Sequence, residues 1–220
     1  DMATLTAELS AAGMMPQDTT WHMLLSDDDY QLVDKQLTAM FGTGLQSFGV
    51  MKPSMVNTAY TAMLYRKMYP NLRQDEAFDL WFQQQAAERG IEVIGLETVK
   101  DQTYALLDAT SLKQQAADLV CMLRNSEYVE QNSKKLNAMY RAADLKGMET
   151  LMLSDNICPM SAEQQIALVD ARNQRWLQKL PSIMAAKPSF IAVGCMHLVG
   201  KKGLLVGLQK LGYKVKPVLK

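Results

Sequence analysis

The chain has 220 residues, of which 48% are apolar and 21% charged, a balance that belongs to globular rather than disordered proteins and gives enough bulk for one domain with a real core. Its 23 basic and 23 acidic side chains leave a formal net charge of zero, without the basic excess that a large nucleic-acid footprint needs. No run approaches the roughly 18 apolar residues of a membrane span, and no basic-then-apolar signal peptide stands at the start.

The first ninety residues read as helical. Thr4–Met14 is a short amphipathic segment, followed by a turn around Pro16 and Asp18. A second helix is expected from near Asp28, with Val33, Leu37, Met40 and Phe41 spaced to make one buried face. Gly42, Gly44 and Gly49 mark a loop, and Pro53 suits the first turn of a third helix that ends near Tyr69-Pro70. In a fourth, Phe78, Trp81, Phe82 and Ala86 form another apolar stripe, which Gly90 stops.

Ile91–Leu96 is short, apolar and rich in β-branched residues, the pattern of a strand. Glu97 follows it, and Thr98 to Asp101 has the form of a capped helix start. Helix is then expected to about Met152, with a loop at Asn156–Pro159. A long helix follows from Ser161 to about Ala185, with Ile166, Val169, Asn173, Trp176, Leu180 and Ile183 on one stripe. The last thirty residues read as strand Phe190–Val193, a turn Gly194-Cys195-Met196-His197, a helix from about Lys201 to Leu211 closed by Gly212, and strand Tyr213–Val218. The stretch between those two strands is long enough for a crossover, so they should run parallel. The fold class expected is therefore helix-rich α/β: a small, mainly parallel sheet with a large helical part, in a single domain over 1–220. Residues 1–90 form its helical part, and 91–220 hold helices and the three strands.

Cys121, Cys158 and Cys195 are an odd count with no C-x-x-C spacing, which argues against a disulfide framework and excludes a zinc ribbon. The 16 methionines read as adaptable core filler.

Glu97 and His197 are the residues most suited to chemistry. Each follows an expected buried strand and precedes a helix, so in one parallel sheet both emerge at the edge where open α/β sheets hold ligands. A carboxylate and an imidazole placed so can bind a divalent metal, or act as base and acid on a bound water. The plainer alternative has Glu97 capping the helix of Thr98 and His197 filling a polar turn. Asn173 is polar on an otherwise apolar stripe and Arg172 lies beside it; a buried polar group needs partners. The two either orient the acidic site or hold a substrate carboxylate, or else they make a structural ion pair or helix-to-loop hydrogen bond. Asp79, at the border of the fourth helix's apolar stripe, Gln102, one helical turn past Glu97, and Gly194, suited to a tight turn or close approach, complete the candidates. His22 lies between helices without a glycine before it and takes no such role, and Cys195 has no base beside it. No nucleophile elbow, P-loop or dinucleotide fingerprint is present.

The segment from Phe190 to Leu219, with its Gly-x-x-His and Gly-Tyr-x-Val-x-Pro, resembles the C-terminal signature of the TraB/PrgY/GumN family, which is related to the Tiki proteins. Lys52-Pro53, Asp79 with Phe82, Gly95-Leu96-Glu97-Thr98 with Gln102, residues 140–152 (YRAADLKGMETLM) and Arg172-Asn173 resemble family positions in the family's order. The resemblance implies N-terminal paired strands with a first Gly-x-x-His and a glutamate-bearing strand. Neither is in this sequence, and Asp1 is no translation start, so the expectation is an N-terminally truncated family domain. Its sheet would be completed by the missing segment or by a homo-oligomer.

The Tiki relationship implies metal-dependent peptide-bond hydrolysis, with Glu97 and His197 as the visible metal ligands, Arg172 as a further catalytic residue, and Asn173, Asp79, Gln102 and Gly194 binding or orienting substrate. A divalent metal is the implied cofactor, expected to bind poorly to this chain alone, which is then inactive. The alternative implied by PrgY-like and GumN-like relatives is a non-catalytic envelope protein that binds a peptide or a polysaccharide-related ligand. Haem binding is implied by related folds, and a bare helical interaction module is a third reading. A cell-envelope location rests on the resemblance alone.

Overall fold

A computed structural model describes residues 10–71, 78–154 and 156–218. Residues 10–12 are helical; the rest of the expected first segment lies outside the described residues. Helix α1 (Trp21–Leu24) and α2 (Asp27–Phe41) follow. Ser26 caps α2 by accepting from the Asp29 amide, three aspartates fill its first turn, and Gly42 closes it at φ 77°, all in keeping with the helix dipole and the left-handed geometry of a C-terminal stop. A short 3₁₀ turn (Leu45–Phe48) leads to α3 (Pro53–Met68), which has Pro53 in its first turn as expected.

Val33 and Leu37 of α2, Leu45, Val56 and Tyr60 of α3 and Leu119 and Leu123 of α6 (Leu112–Arg124) form the larger core. Each leucine sealed there contributes about 1.5–3 kcal/mol. Between these elements run α4 (Phe78–Glu88) and α5 (Val99–Thr103), the latter continuing into a π-helical turn at Tyr104–Asp108. After α6 come α7 (Ser126–Arg141) and α8 (Leu145–Leu153), which pack together.

The long helix expected from Ser161 is found, with one irregularity. Ser161 and Gln164 form a capping box at the start of α9 (Ala162–Gln165), a second π-helical turn spans Ile166–Asp170, and α10 (Ala171–Ala186) continues. A smaller core gathers on α10. Trp176 and Leu180 pack with Leu204 of α11 (Leu204–Lys210), and Leu96, Ile191 and Val193 cover its edge. Gly212, at φ 90°, ends α11. The amide of Gly212 donates to the Gln209 carbonyl and that of Tyr213 to Leu208, the paired bonds of a Schellman stop.

The expected parallel sheet is not formed. Among the described residues there is no strand, and the only β-type pairing is an isolated antiparallel bridge between Met14 and Met51. Residues 91–96, 190–193 and 213–218 are non-helical, as their β-branched composition demands, but they share no ladder hydrogen bonds. The reason is coverage. A parallel strand is stable when both faces are buried, whereas Ile91, Val93 and Ile94 are 58%, 57% and 49% exposed and Phe190 is 73% exposed. Local pattern alone cannot supply the missing layer. The helix-rich reading stands; the sheet within it does not, and the described fold is all-α.

Two further expectations are corrected. Cys121 on α6 and Cys158 in the loop before α9 form a disulfide; their separation of 37 residues hides in sequence what helix packing brings together. The stripe on α4 stays half open, with Phe78 and Trp81 64% and 49% exposed, and Phe82 packs at a tilt against Phe190, 4.6 Å between ring centres, rather than entering a core.

Candidate functional site

Three side chains project from the first two turns of α10: Arg172, Asn173 and Trp176. Spacings of three and four residues put them on one helical face. The π-helical turn just before them breaks the regular ladder, and its Leu168 carbonyl accepts from Arg172 Nη1 at 2.9 Å. Such turns recur at functional sites.

Arg172 meets Glu97 in a two-point contact, Nε to Oε2 at 2.9 Å and Nη2 to Oε1 at 2.6 Å. The side chains are only 12% and 13% exposed, so solvent screens the pair little. The residues on either side hold Glu97 in place. Thr98 and Asp101 form a reciprocal capping box that starts α5, and Lys179 Nζ donates to the Leu96 carbonyl at 2.8 Å. Glu97 is therefore no cap for its own helix; it is the counter-ion of Arg172. The guanidinium carbon also lies 5.0 Å from the centre of the Trp176 ring, a cation–π position.

His197 packs against the same indole, in a 3₁₀ turn over Cys195–His197. Its imidazole is 4.4 Å from Trp176 between centroids, and the residue is buried, with 7% exposed. Asn173, 1% exposed, decides the tautomer. Asn173 Nδ2 donates to two backbone carbonyls, His197 O at 3.1 Å and Lys202 O at 3.0 Å. The amide can only be turned one way, which leaves Oδ1 as the atom 2.8 Å from His197 Nδ1. An amide oxygen accepts, so Nδ1 carries the proton and Nε2 keeps its lone pair. Burial, the Arg172 cation and, in the opposite sense, Glu97 together bring the imidazole pKa down to about 4. His197 is thus a neutral base at physiological pH, with Nε2 unpaired among the described residues.

One buried donor here also lacks a partner. Trp176 Nε1 is the buried side-chain donor left without an acceptor among the described residues, an unusual condition for an indole N–H. The turn after His197 is tied to the start of α10 a second time by Lys202, whose ammonium bonds Asp170 at 2.6 Å.

The structure brings together Glu97, Arg172, Asn173 and His197, though α10 rather than a sheet edge assembles them. Gln102 makes no hydrogen bond to Glu97 among the described residues. Gly194 has φ −59° and ψ 143°, open to any residue, and a side-chain carbon there would only touch His197 at 3.8 Å. Its carbonyl, not its missing side chain, shapes the turn by accepting from the His197 amide. Asp79 lies on α4; its side chain is outside the described part of the structure. His22 stacks on Tyr30. Trp176 is the member that sequence reasoning took for plain core; its signal was the spacing from Arg172 and Asn173.

The sequence profile of the TraB/PrgY/gumN family matches residues 1–217. The chain belongs to the TraB/PrgY/gumN family. No curated protein and no solved structure matches it. In this TraB/PrgY/gumN chain the Gly-x-x-His turn and the Arg-Asn pair, separate in sequence, are one hydrogen-bonded unit.

Proposed function

We propose that this member of the TraB/PrgY/gumN family carries half of a hydrolytic site, peptidase-like in type, in which His197 Nε2 is the working atom. The observation that supports this reading is the tautomer: Asn173 locks the proton on Nδ1 and leaves a neutral, unpaired lone pair on Nε2, the form a metal ligand or general base takes. The unpartnered Trp176 N–H is a donor for an acceptor atom on a bound molecule, such as a peptide carbonyl oxygen.

A divalent metal fits the site only in part. His197 offers one suitable donor, but both oxygens of Glu97 are taken by Arg172, and the described residues contain no group of three or more His, Cys, Asp or Glu that could hold an ion. A complete site needs further donors, such as those a second copy of the chain would bring. This chain alone is expected to bind divalent ions weakly and to be inactive. The Cys121–Cys158 disulfide supports an oxidising compartment, in keeping with an envelope location.

A second reading has an observation of its own. With Glu97 saturated by Arg172, the cluster serves as a rigid clamp beneath a non-catalytic site for a peptide or polysaccharide-related ligand. Metal analysis of the natively produced protein, with and without His197→Ala, separates the two. A stoichiometric divalent ion lost in the variant supports the hydrolytic reading. Equal content, or none in either, rejects it and leaves the binding protein.

A further inference from the structure

Away from the histidine site, α3, the π-helical turn at 104–108, the start of α6 and the second π-helical turn at 166–170 enclose a groove of about 620 Å³, within the range of small-molecule sites. Its walls look polar in sequence but are not so in effect. Thr58 Oγ1 donates to the Ser54 carbonyl and Thr61 Oγ1 to Asn57 Oδ1. The Ser54 hydroxyl donates to Gln115, whose own amide is spent on the carbonyls of Leu107 and Thr110. With these hydroxyls and the Gln115 amide engaged, most of the remaining lining is aliphatic: Ala62, Ala105, Leu106, Ala109 and Leu168.

The two ends differ in charge. Ser54 meets Gln115 and Thr61 meets Met122, each pair 61 residues apart, so α3 and α6 run side by side in the same direction. Asp118, which also lines the groove and is held by Gln114 and Gln164, is therefore level with Asn57. Arg66 lies farther along α3, roughly 13 Å away at 1.5 Å per residue. Arg66 is exposed, lines the groove and makes no ion pair or hydrogen bond among the described residues. Tyr65, beside it, adds a phenol to the same end. A long apolar trough thus ends in an unspent cation and repels anions at its opposite end.

We infer that this groove binds a linear monocarboxylate of medium chain length, its alkyl body along the aliphatic floor and its carboxylate on Arg66 and Tyr65. Leu168 belongs both to the floor and to the turn whose carbonyl holds Arg172, so occupancy bears on the geometry of the histidine site.

Decanoate, titrated below its micelle concentration into the 220-residue chain and followed by calorimetry, tests this. Saturable binding to one site is expected, weakened about tenfold or more by Arg66→Glu, as loss of a charge-assisted bond predicts, and abolished by Ala62→Trp on the exposed wall. Decanol should bind more weakly than decanoate. Absence of saturable binding, indifference to both substitutions, or equal affinity for decanol would overturn the assignment. Unchanged circular dichroism of both variants shows that folding is not what was lost.

Discussion

Removing both sides of the Arg172–Glu97 pair should cost clearly less than the two single removals summed, and no more than removing Arg172 alone. In Arg172→Met the Glu97 carboxylate stays 13% exposed with two hydrogen bonds gone, and stranding a nearly buried charge costs about 3–5 kcal/mol. Glu97→Gln is milder, about 2–3 kcal/mol, because the guanidinium keeps the Leu168 carbonyl and the face of Trp176, the latter worth about 1 kcal/mol. In the double variant neither charge remains, so its cost should fall short of the sum by about 2–3 kcal/mol. Urea unfolding of the four proteins, followed by far-ultraviolet circular dichroism, gives the coupling directly. Costs that add to within about 0.5 kcal/mol would mean that the two side chains are not paired in solution, and the assembled site would not exist.

Three further outcomes are expected. His197 has a folded pKa of about 4 against an ordinary 6.5, so between those values the unfolded chain binds the extra proton. Stability is then full above pH 6.5 and falls with acid by about 3 kcal/mol by pH 4; parallel urea-midpoint profiles for wild type and His197→Gln would contradict this. Asn173→Ala strands the His197 and Lys202 carbonyls and should cost about 2–4 kcal/mol, while nitrogen chemical shifts of the imidazole change from the Nδ1–H form toward a tautomer mixture; an unchanged Nδ1–H signature rules out the amide's role. Gly203→Ala pushes a carbon into the carbonyl oxygens of Leu198 and Val199 and should cost about 1–3 kcal/mol, read as a lowered Tm; an unaltered Tm would show that the turn after His197 yields freely.

Much of the site was legible because its logic is local. A polar residue at position 173 amid Val169 and Trp176 had to find partners, and it finds the His197 ring and two carbonyls. The helix limits also follow local chemistry, as Ser26, Pro53, Ser161 and Gly212 each act where their type predicts. The sheet misled for the converse reason. Ile91–Leu96 and Phe190–Val193 have strand composition, but pairing depends on the neighbouring chain, and nothing in so short a run reports that. The cysteines failed similarly: the packing that sets Cys121 against Cys158 leaves no trace in their spacing. Nor did the two π-helical turns announce themselves, since a single inserted residue leaves the apolar period nearly intact.

The bond between Cys121 and Cys158 closes a covalent ring that contains the end of α6 and all of α7 and α8. A protease cut anywhere inside that ring leaves one molecule, not two. Its halves, one carrying the larger core and the other carrying α9 and α10 with the arginine, asparagine and histidine, stay joined until a reductant arrives. Nicked protein should therefore migrate as a single species without reductant and separate with it, and the ring can be opened at α7 or α8 without parting the helical core from the histidine site.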